Sequence, residues 1–503
     1  MTFQQLLDGA EVLAHSGNPD VSSVEYDSRR VQPGCLFVAL RGESSDGNQF
    51  IDPAIRAGAV AVVTDSAAQS QRPGVAWAVV ARGRRALARV SANFYKRPAE
   101  RIAITGITGT NGKSTTAFLL ESILQAAKRK SALIGTIEYH VAGKILPAPH
   151  TTPEALELNR IFSEALGAGA TDAVMEVSSH ALAQERVYGV PFDVAVFTNL
   201  TRDHLDYHKT MEEYFAAKRA LFEGCGTDPS RAVVTNLDDE YGAKLAEFSR
   251  KRSSLVLKYG WQQGDLRAQK VEITTRGTRF DLIAPGQQIA LFSALIGRVN
   301  VYNILAAAGA AVARGCTAEA IAQGVGNLAC VPGRFERVDC GQPFTVVVDY
   351  AHTDDALCNL TALARELVSA SKGRVLTMFG CGGDRDRKKR PLMGEAAGRG
   401  SDLVVLTSDN PRSEDPLAII NDAVVGLQKT GAKYSVEPDR RKAIALAISE
   451  ARPGDIVLLA GKGHEKVQVT RGRAAPFDDL EVARQALQAV GFECGAAAAG
   501  APK

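Results

Sequence analysis

Ten consecutive residues, Gly106-Ile-Thr-Gly-Thr-Asn-Gly-Lys-Ser-Thr115, combine glycine, lysine and hydroxyl groups at a spacing that can wrap phosphate. Glycines let backbone N–H groups approach phosphate oxygens, and a helix beginning just beyond them adds favourable partial charge. In such a loop Gly109, Thr110, Asn111, Gly112, Lys113, Ser114 and Thr115 form the nucleotide cradle. Lys113 then reaches the terminal phosphates and the Ser114 hydroxyl meets magnesium. Ile107 stands where a strict phosphate loop carries glycine, but the strand–loop–helix context makes ATP the expected ligand. A second cluster, Met175-Glu-Val-Ser-Ser-His180, puts Glu176 where phosphate-loop proteins carry an acidic magnesium ligand. A plain helix-capping Ser178-Ser179 pair is the alternative. A third, Thr198 to His208, packs Asp203, His204, Asp206 and His208 into six residues. That density suits metal or phosphate work, or a solvated loop.

Lys218 is set apart by its neighbours. In the helix expected over Met211–Phe222, Tyr214 and Phe215 lie four and three residues before it, and Leu221 and Phe222 three and four after. The helical period therefore places a lysine among apolar side chains, where free lysines are rare unless they snorkel to solvent. Further polar clusters occur at Asp349–Asp355, Gly380–Arg390, Asp409–Arg412 and Gly461–Glu465. Asp409–Arg412 on its own reads as a turn with an exposed arginine, a side chain whose planar fork can hold a carboxylate.

These residues need elements to hold them. Up to about residue 97, short apolar runs (Cys35–Leu40, Ala59–Thr64, Val75–Val80) alternate with helical stretches and stop at Tyr95-Lys-Arg-Pro98. A buried strand is expected at Arg101–Thr105, then the glycine-rich turn and a helix over Ser114–Ala127. More strands are expected at Ala132–Thr136, Ala173–Val177, Val194–Asn199 and Ala232–Asn236, a small hairpin insert at Val271–Ile283 and a helix over Val299–Arg314. After Val331-Pro-Gly-Arg334 a second series runs through Thr345–Tyr350, Arg374–Phe379, Leu403–Ser408 and Ile456–Ala460. Strands alternating with helices predict an α/β chain with mostly parallel, doubly wound sheets, and ligands at the carboxyl ends of the strands. The Ala/Gly-rich end, Cys494–Lys503, is expected to fray.

Bulk properties narrow the class. A length of 503 residues predicts about three domains, and 45% hydrophobic with 23% charged residues is a globular composition. Net charge is +3 with no basic stripe, which argues against nucleic acid. Nothing approaches about 20 uninterrupted apolar residues, so no membrane span is expected, and Met1-Thr-Phe-Gln-Gln does not resemble a secretory signal. Eight cysteines without a C-x-x-C pair suggest reduced thiols in a cytoplasm rather than a disulfide frame or a zinc site.

Taken in order, G-T-N-G-K-S-T (Gly109–Thr115), E-V-S-S-H (Glu176–His180), T-N-L-T-R-D-H-L-D-Y-H (Thr198–His208), Y-F-x-x-K-x-x-L-F (Tyr214–Phe222), P-G-R-F-E-R (Pro332–Arg337), D-Y-A-H-T (Asp349–Thr353) and G-K-G-H-E (Gly461–Glu465) resemble the Mur ligases of peptidoglycan synthesis. The resemblance implies three domains: 1–97, an N-terminal α/β domain for the UDP-substrate; 98–332, a central phosphate-loop sheet for ATP; and 333–503, a C-terminal Rossmann-like domain for the incoming amino acid. It implies that Lys218 is carbamylated and that Ser114, Glu176, His204 and the modified Lys218 hold magnesium. Lys113, Glu176, His204 and Lys218 are then the catalytic set, and Asn303 and Arg334 join the ATP site. Tyr26 and Ser28 match the uridine-binding segment, and Thr151, Thr152, Ser178, Gln184 and Arg186 match positions that hold the muramoyl peptide.

Asp409-Asn410-Pro411-Arg412 resembles the signature of the diaminopimelate-adding branch, with Arg385, Gly461 and Glu465 completing the pocket. The implied reaction is ATP-dependent amide formation between a UDP-N-acetylmuramoyl dipeptide and meso-diaminopimelate; separately, a cytoplasmic monomer is expected. Asp354 replaces a common proline after D-Y-A-H-T, and His150 stands where asparagine is frequent. A sister amide ligase, such as folylpolyglutamate synthase, and a non-catalytic ATP-binding switch are the competing readings.

Overall fold

The computed structural model describes residues 1–42, 45–69, 71–369 and 372–494, so the tail from Gly495 onward lies outside the described residues. Three sheets follow one another along the chain. The first has five strands in the order Val12–Ser16, Ala76–Val80, Ala59–Thr64, Cys35–Ala39, Ser23–Glu25, all parallel except the Val12–Ser16 edge. The second has eleven strands. Its parallel centre runs Leu255–Gly260, Ala232–Asn236, Phe192–Phe197, Ala103–Thr108, Asp172–Glu176, Ser131–Ile134. The third has six strands in the order Glu336–Val338, Thr345–Asp349, Ile456–Ala460, Val375–Cys381, Leu403–Ser408, Lys433–Val436, parallel but for the first. The α/β class expected from the alternation is what the chain adopts.

Side chains alternate between the two faces of each sheet with the period of 2 that a strand imposes. Val174, Val194 and Val196 join one apolar cluster, while Ala173, Met175, Ala195 and Phe197 join another on the opposite face. Val347 and its neighbours Val346 and Val348 divide in the same way in the third sheet. Strands buried on both faces read as continuous apolar runs, which is why they stand out in the sequence.

Four expectations need correction. The strand expected at Arg101–Thr105 runs over Ala103–Thr108, because Gly106 and Ile107 pair with both neighbouring strands before the chain turns. The hairpin at Val271–Ile283 is no separate insert. Leu266–Thr274 joins the second sheet parallel to Leu255–Gly260, and Gly277–Ala284 and Gln287–Ser293 continue it antiparallel, burying Phe280, Leu282 and Leu291. The helix expected at Val299–Arg314 spans Arg298–Ala313, its small residues lying flat on the strands; a Cβ on Gly309 would sit 2.7 Å from Val234. Cys340 and Cys494 are bonded to each other, so the cysteines are not all free thiols as their scatter suggested. Among the described residues no helix is long and apolar enough to cross a membrane.

Candidate active site

The phosphate loop leaves the carboxyl end of Ala103–Thr108 and enters the helix Lys113–Ala126. Two of its glycines are required by contact as well as by conformation. Gly109 has φ 146°, and a Cβ there would lie 1.9 Å from Thr198 Oγ1; Gly112 has φ 86°, and its Cβ would lie 2.3 Å from Asn303 Oδ1. Thr198 and Asn199, at the end of the next strand, brace the loop. Thr110 N–H donates to Asn199 O at 2.8 Å, Asn111 N–H to Asn199 Oδ1 at 2.9 Å, and the Thr198 hydroxyl to Asn111 O at 2.7 Å. Lys113 Nζ folds back onto the carbonyls of Gly109 and Thr110, at 3.0 and 2.9 Å. Ser114 is buried, and its hydroxyl oxygen accepts from Arg334 Nη2 at 3.3 Å.

Lys218, on the helix Met211–Glu223, is 2% exposed, as its apolar neighbours foretold. Its Nζ donates to Gly109 O at 2.8 Å and lies 4.6 Å from the centre of the Tyr214 ring. Burial, reinforced by the charge of Lys113, holds its pKa well below that of a free lysine. Tyr214 meets Thr110 of the loop, hydroxyl to hydroxyl, at 3.2 Å and stacks on His208 with ring centres 5.1 Å apart. His180 sits 4.8 Å from His204, ring to ring, so the second and third motif clusters converge here. Burial and the nearby positive charges of His180, Lys218 and Lys113 outweigh Asp203 and lower the pKa of His204.

Among the described residues, no three His, Cys, Asp or Glu side chains gather where they could hold a metal, so Asp203, His204, Asp206 and His208 form no such site by themselves. Glu176 is 1% exposed, and its two oxygens accept from Thr136 N–H at 2.8 Å and from the Thr136 hydroxyl at 3.0 Å.

The residues matched to the muramoyl peptide adjoin Glu176. The Thr152 hydroxyl donates to Glu176 O at 2.9 Å and accepts from Ser178 N–H at 3.0 Å, and Thr151 meets Thr136 at 3.0 Å. Arg186 bridges Gln184 Oε1 at 2.6 Å and Thr152 O at 3.0 Å. Tyr26, by contrast, turns its hydroxyl to Glu157 at 3.2 Å, and Ser28 opens a short turn capped by Asp27. His150 contributes its carbonyl oxygen, which accepts from the Tyr139 hydroxyl, so its ring plays no part in that bond. Asp354 lies in the first turn of the helix Asp354–Val368, where an acid favours the helix dipole.

In the third sheet the loop Asp409–Arg412 leaves the strand Leu403–Ser408 beside Gly461–Glu465. Gly461 has φ 111°, and a Cβ there would lie 2.7 Å from Asp409 Oδ2. Burial raises the Asp409 pKa against the pull of Arg440 and Lys462. Asn410 Nδ2 donates to Glu465 Oε2 at 2.8 Å. Arg412 has φ 54°, and its Nη1 donates to Gly383 O at 2.6 Å. Burial and then the charge of Arg385 lower its pKa, so two arginines crowd one place.

Three links join segments around the third sheet to the phosphate loop and to the Thr198–His208 segment. Asn111 Nδ2 donates to Asp355 Oδ2 at 2.9 Å, Arg202 to Asp386 at 2.9 Å, and Lys389 lies 3.6 Å from Asp203. Sequence reasoning gave no role of their own to Asn199, Tyr214 or Lys462, although all three lie in the motifs, and did not mark the fully buried Arg440–Asp479 pair at 2.5 Å, which ties the carbonyl of Ala460 to the final helix. Only a polar residue at an apolar helical position could have flagged Tyr214 or Arg440. A cavity of about 470 Å³ lined by Arg337, Phe344 and Asp455 lies at the amino ends of the third sheet's strands, away from these residues.

Three family models match: the Mur ligase family catalytic domain over residues 20–95, the Mur ligase middle domain over 107–311 and the Mur ligase glutamate ligase domain over 333–463. Two proteins named UDP-N-acetylmuramoyl-L-alanyl-D-glutamate–2,6-diaminopimelate ligase are similar over nearly their whole length. The one from Solibacter usitatus is 55% identical over 94% of each chain. The one from Geobacter metallireducens is 46% identical over 92% of this chain and 93% of its own. A solved structure of a ligase with the same name is 34% identical, with a TM-score of 0.65 over 93% of this chain and 95% of the other. The MurF ligase of Thermotoga maritima in complex with ADP shares the fold at 19% identity, with a TM-score of 0.65 over 93% of this chain and 97% of its own.

Proposed function

The chain belongs to the Mur ligase family, and on that basis we propose that it joins meso-diaminopimelate to UDP-N-acetylmuramoyl-L-alanyl-D-glutamate at the expense of ATP, releasing ADP and phosphate, in peptidoglycan synthesis. The observation that carries this reading is the direct contact between Asn111 of the phosphate loop and Asp355, in the first turn of the helix Asp354–Val368 that follows the third sheet's strand Thr345–Asp349. The nucleotide loop thus meets the domain we assign to the amino acid, as a reaction between a phosphorylated acid and a separately held amine demands. We take 1–97, 98–332 and 333–503 as the domains for the UDP-substrate, ATP and the amino acid.

The γ-carboxylate of the D-glutamyl residue attacks the γ-phosphate of ATP and forms an acyl phosphate, and ADP leaves. The amine of diaminopimelate adds to the acyl carbon, and the tetrahedral intermediate expels phosphate. Lys113 neutralises charge on the transferring phosphoryl group, and preorganised charge of this kind dominates phosphoryl transfer. Asn303, beside Gly112, and Arg334, beside Ser114, complete the nucleotide site. Thr151, Thr152, Ser178, Gln184 and Arg186 hold the peptide next to Glu176, while Tyr26 and Ser28 take the uridine end. Arg412 and Arg385 hold the distal carboxylate of diaminopimelate and Glu465 its ammonium. Contact between the domains keeps water from the acyl phosphate.

The donor set fits magnesium once Lys218 is a carbamate. Lys218, a buried amine with no ion pair among the described residues, would as a carbamate offer an oxygen ligand, and Ser114, Glu176 and His204 would supply the rest. Bound there, magnesium would neutralise charge on the phosphate oxygens. Small, highly charged substrates suit a cytoplasmic enzyme, and we take it to act as a monomer. ADP release measured with each of the three substrates omitted in turn tests the reading. Release that needs all three supports it, and release that ignores the amino acid and the UDP-substrate overturns it in favour of an ATP-binding switch.

A further inference from the structure

Lys462 is fully buried, yet it belongs to no motif role assigned above. Its Nζ donates to Glu465 Oε2 at 3.0 Å and to Asn410 Oδ1 at 3.3 Å. Asn410 Nδ2 donates to the same Glu465 Oε2 at 2.8 Å. Lys462 and Asn410 therefore grip one oxygen of a carboxylate whose side chain is still 30% exposed. The strand Val467–Thr470 closes the network from outside: Val469 N–H donates to Asn410 Oδ1 at 2.9 Å, and Gln468 Nε2 to Asp409 O at 2.8 Å. Burying an ammonium is costly unless its partners are well placed, and nothing in the sheet's apolar packing requires one at this position.

Resting on the functional reading above, we propose that Lys462 is a positioning residue for amino-acid recognition: it holds Glu465 by Oε2 so that Oε1 is presented to the substrate's ammonium. Without it, Glu465 swings toward Arg412, whose charge it already faces, and the ammonium and carboxylate subsites are lost together. A carboxylate fixed on one edge binds a small zwitterion in one orientation, and a misplacement of about 1 Å costs on the order of 100-fold.

Steady-state kinetics on the full chain tests this with Lys462→Met, Glu465→Gln and the double variant. Lys462→Met is expected to raise KM for diaminopimelate by roughly 10- to 100-fold, with KM for ATP and kcat within about threefold of wild type. In the Glu465→Gln background the same change adds less than about threefold, because the group it positions has already been altered. Equal losses in both backgrounds, an unchanged KM for diaminopimelate, or a matching rise in KM for ATP overturn the proposal. Should Lys462→Met fail to melt cooperatively, Lys462→Gln replaces it, and loss of folding in both makes Lys462 structural and overturns the proposal too. A wild-type enzyme that shows no diaminopimelate-dependent ADP release overturns the functional reading, and this placement with it. A normal wild type with an unaffected Lys462→Met overturns the placement alone.

Discussion

Lys113 and Lys218 donate to the same carbonyl oxygen, that of Gly109, at 3.0 and 2.8 Å. Two ammonium groups so placed lie within about 6 Å of each other and repel by roughly 3 kcal/mol at an effective dielectric of about 20. The arrangement is relieved if Lys218 carries no positive charge, and burial already drives its amine toward the neutral form. A neutral amine is the species that adds carbon dioxide. The carbamylation proposed above would turn a repulsive neighbour of Lys113 into an anionic one.

Lys218→Ala should therefore lower turnover by at least about 1000-fold while the protein still melts cooperatively, and short carboxylic acids should restore part of the activity. Turnover assays with and without added acid check this. Full activity in the alanine variant would contradict the carbamate role.

Lys113→Ala should weaken ATP binding by at least about 10-fold, a charge-assisted hydrogen bond being worth roughly 1.5–3 kcal/mol. Affinity for the UDP-substrate should stay within about twofold. Calorimetry with each ligand separates the two, and loss of UDP-substrate binding with ATP binding intact would reverse the domain assignment.

Arg412→Ala should raise KM for diaminopimelate by at least about tenfold and narrow its advantage over lysine, leaving ATP affinity unchanged. The guanidinium is held by Gly383 O and crowded by Arg385, so an incoming carboxylate relieves repulsion as well as forming bonds. An unchanged KM would make Arg412 an ordinary loop residue.

His140 supplies a pH-dependent prediction remote from the chemistry. Its Nδ1 lies 2.8 Å from Glu121 Oε2 on the phosphate-loop helix, and its Nε2 lies 2.9 Å from Glu138 Oε1. Burial alone lowers its pKa, but the bonds to the two carboxylates outweigh burial and raise it to about 9. The folded value exceeds the unfolded value of about 6.5, so this stabilisation is complete below about pH 6.5 and is lost as pH rises through about 9. Thermal melts should place His140→Gln about 2–4 °C below wild type at pH 6, with the gap closing by about pH 10. A gap that does not depend on pH would contradict the ion-paired imidazolium.

What the sequence revealed follows from the range of the interactions involved. The parallel strands were legible because burial on both faces makes them apolar throughout, and Lys218 because one helical turn on either side of it is apolar. The end of the strand at Thr108 was not, since pairing with Asp172–Glu176 and Phe192–Phe197 carries it through a glycine that reads as a turn. Arg440–Asp479 and Cys340–Cys494 join residues far apart in the chain, and no local pattern marks them. Lys462 lay in full view inside a recognised motif. Only its complete burial distinguishes it from a solvated loop lysine.

The most direct test of the central claim is an ADP-release assay on the wild-type enzyme with ATP, magnesium and UDP-N-acetylmuramoyl-L-alanyl-D-glutamate, offering meso-diaminopimelate or L-lysine. Lysine lacks the distal carboxylate and leaves Arg412 unpaired in the closed site, so discrimination on the order of 10⁴ in kcat/KM is expected in favour of diaminopimelate. Equal use of the two amino acids, or ADP release without either, would contradict the account.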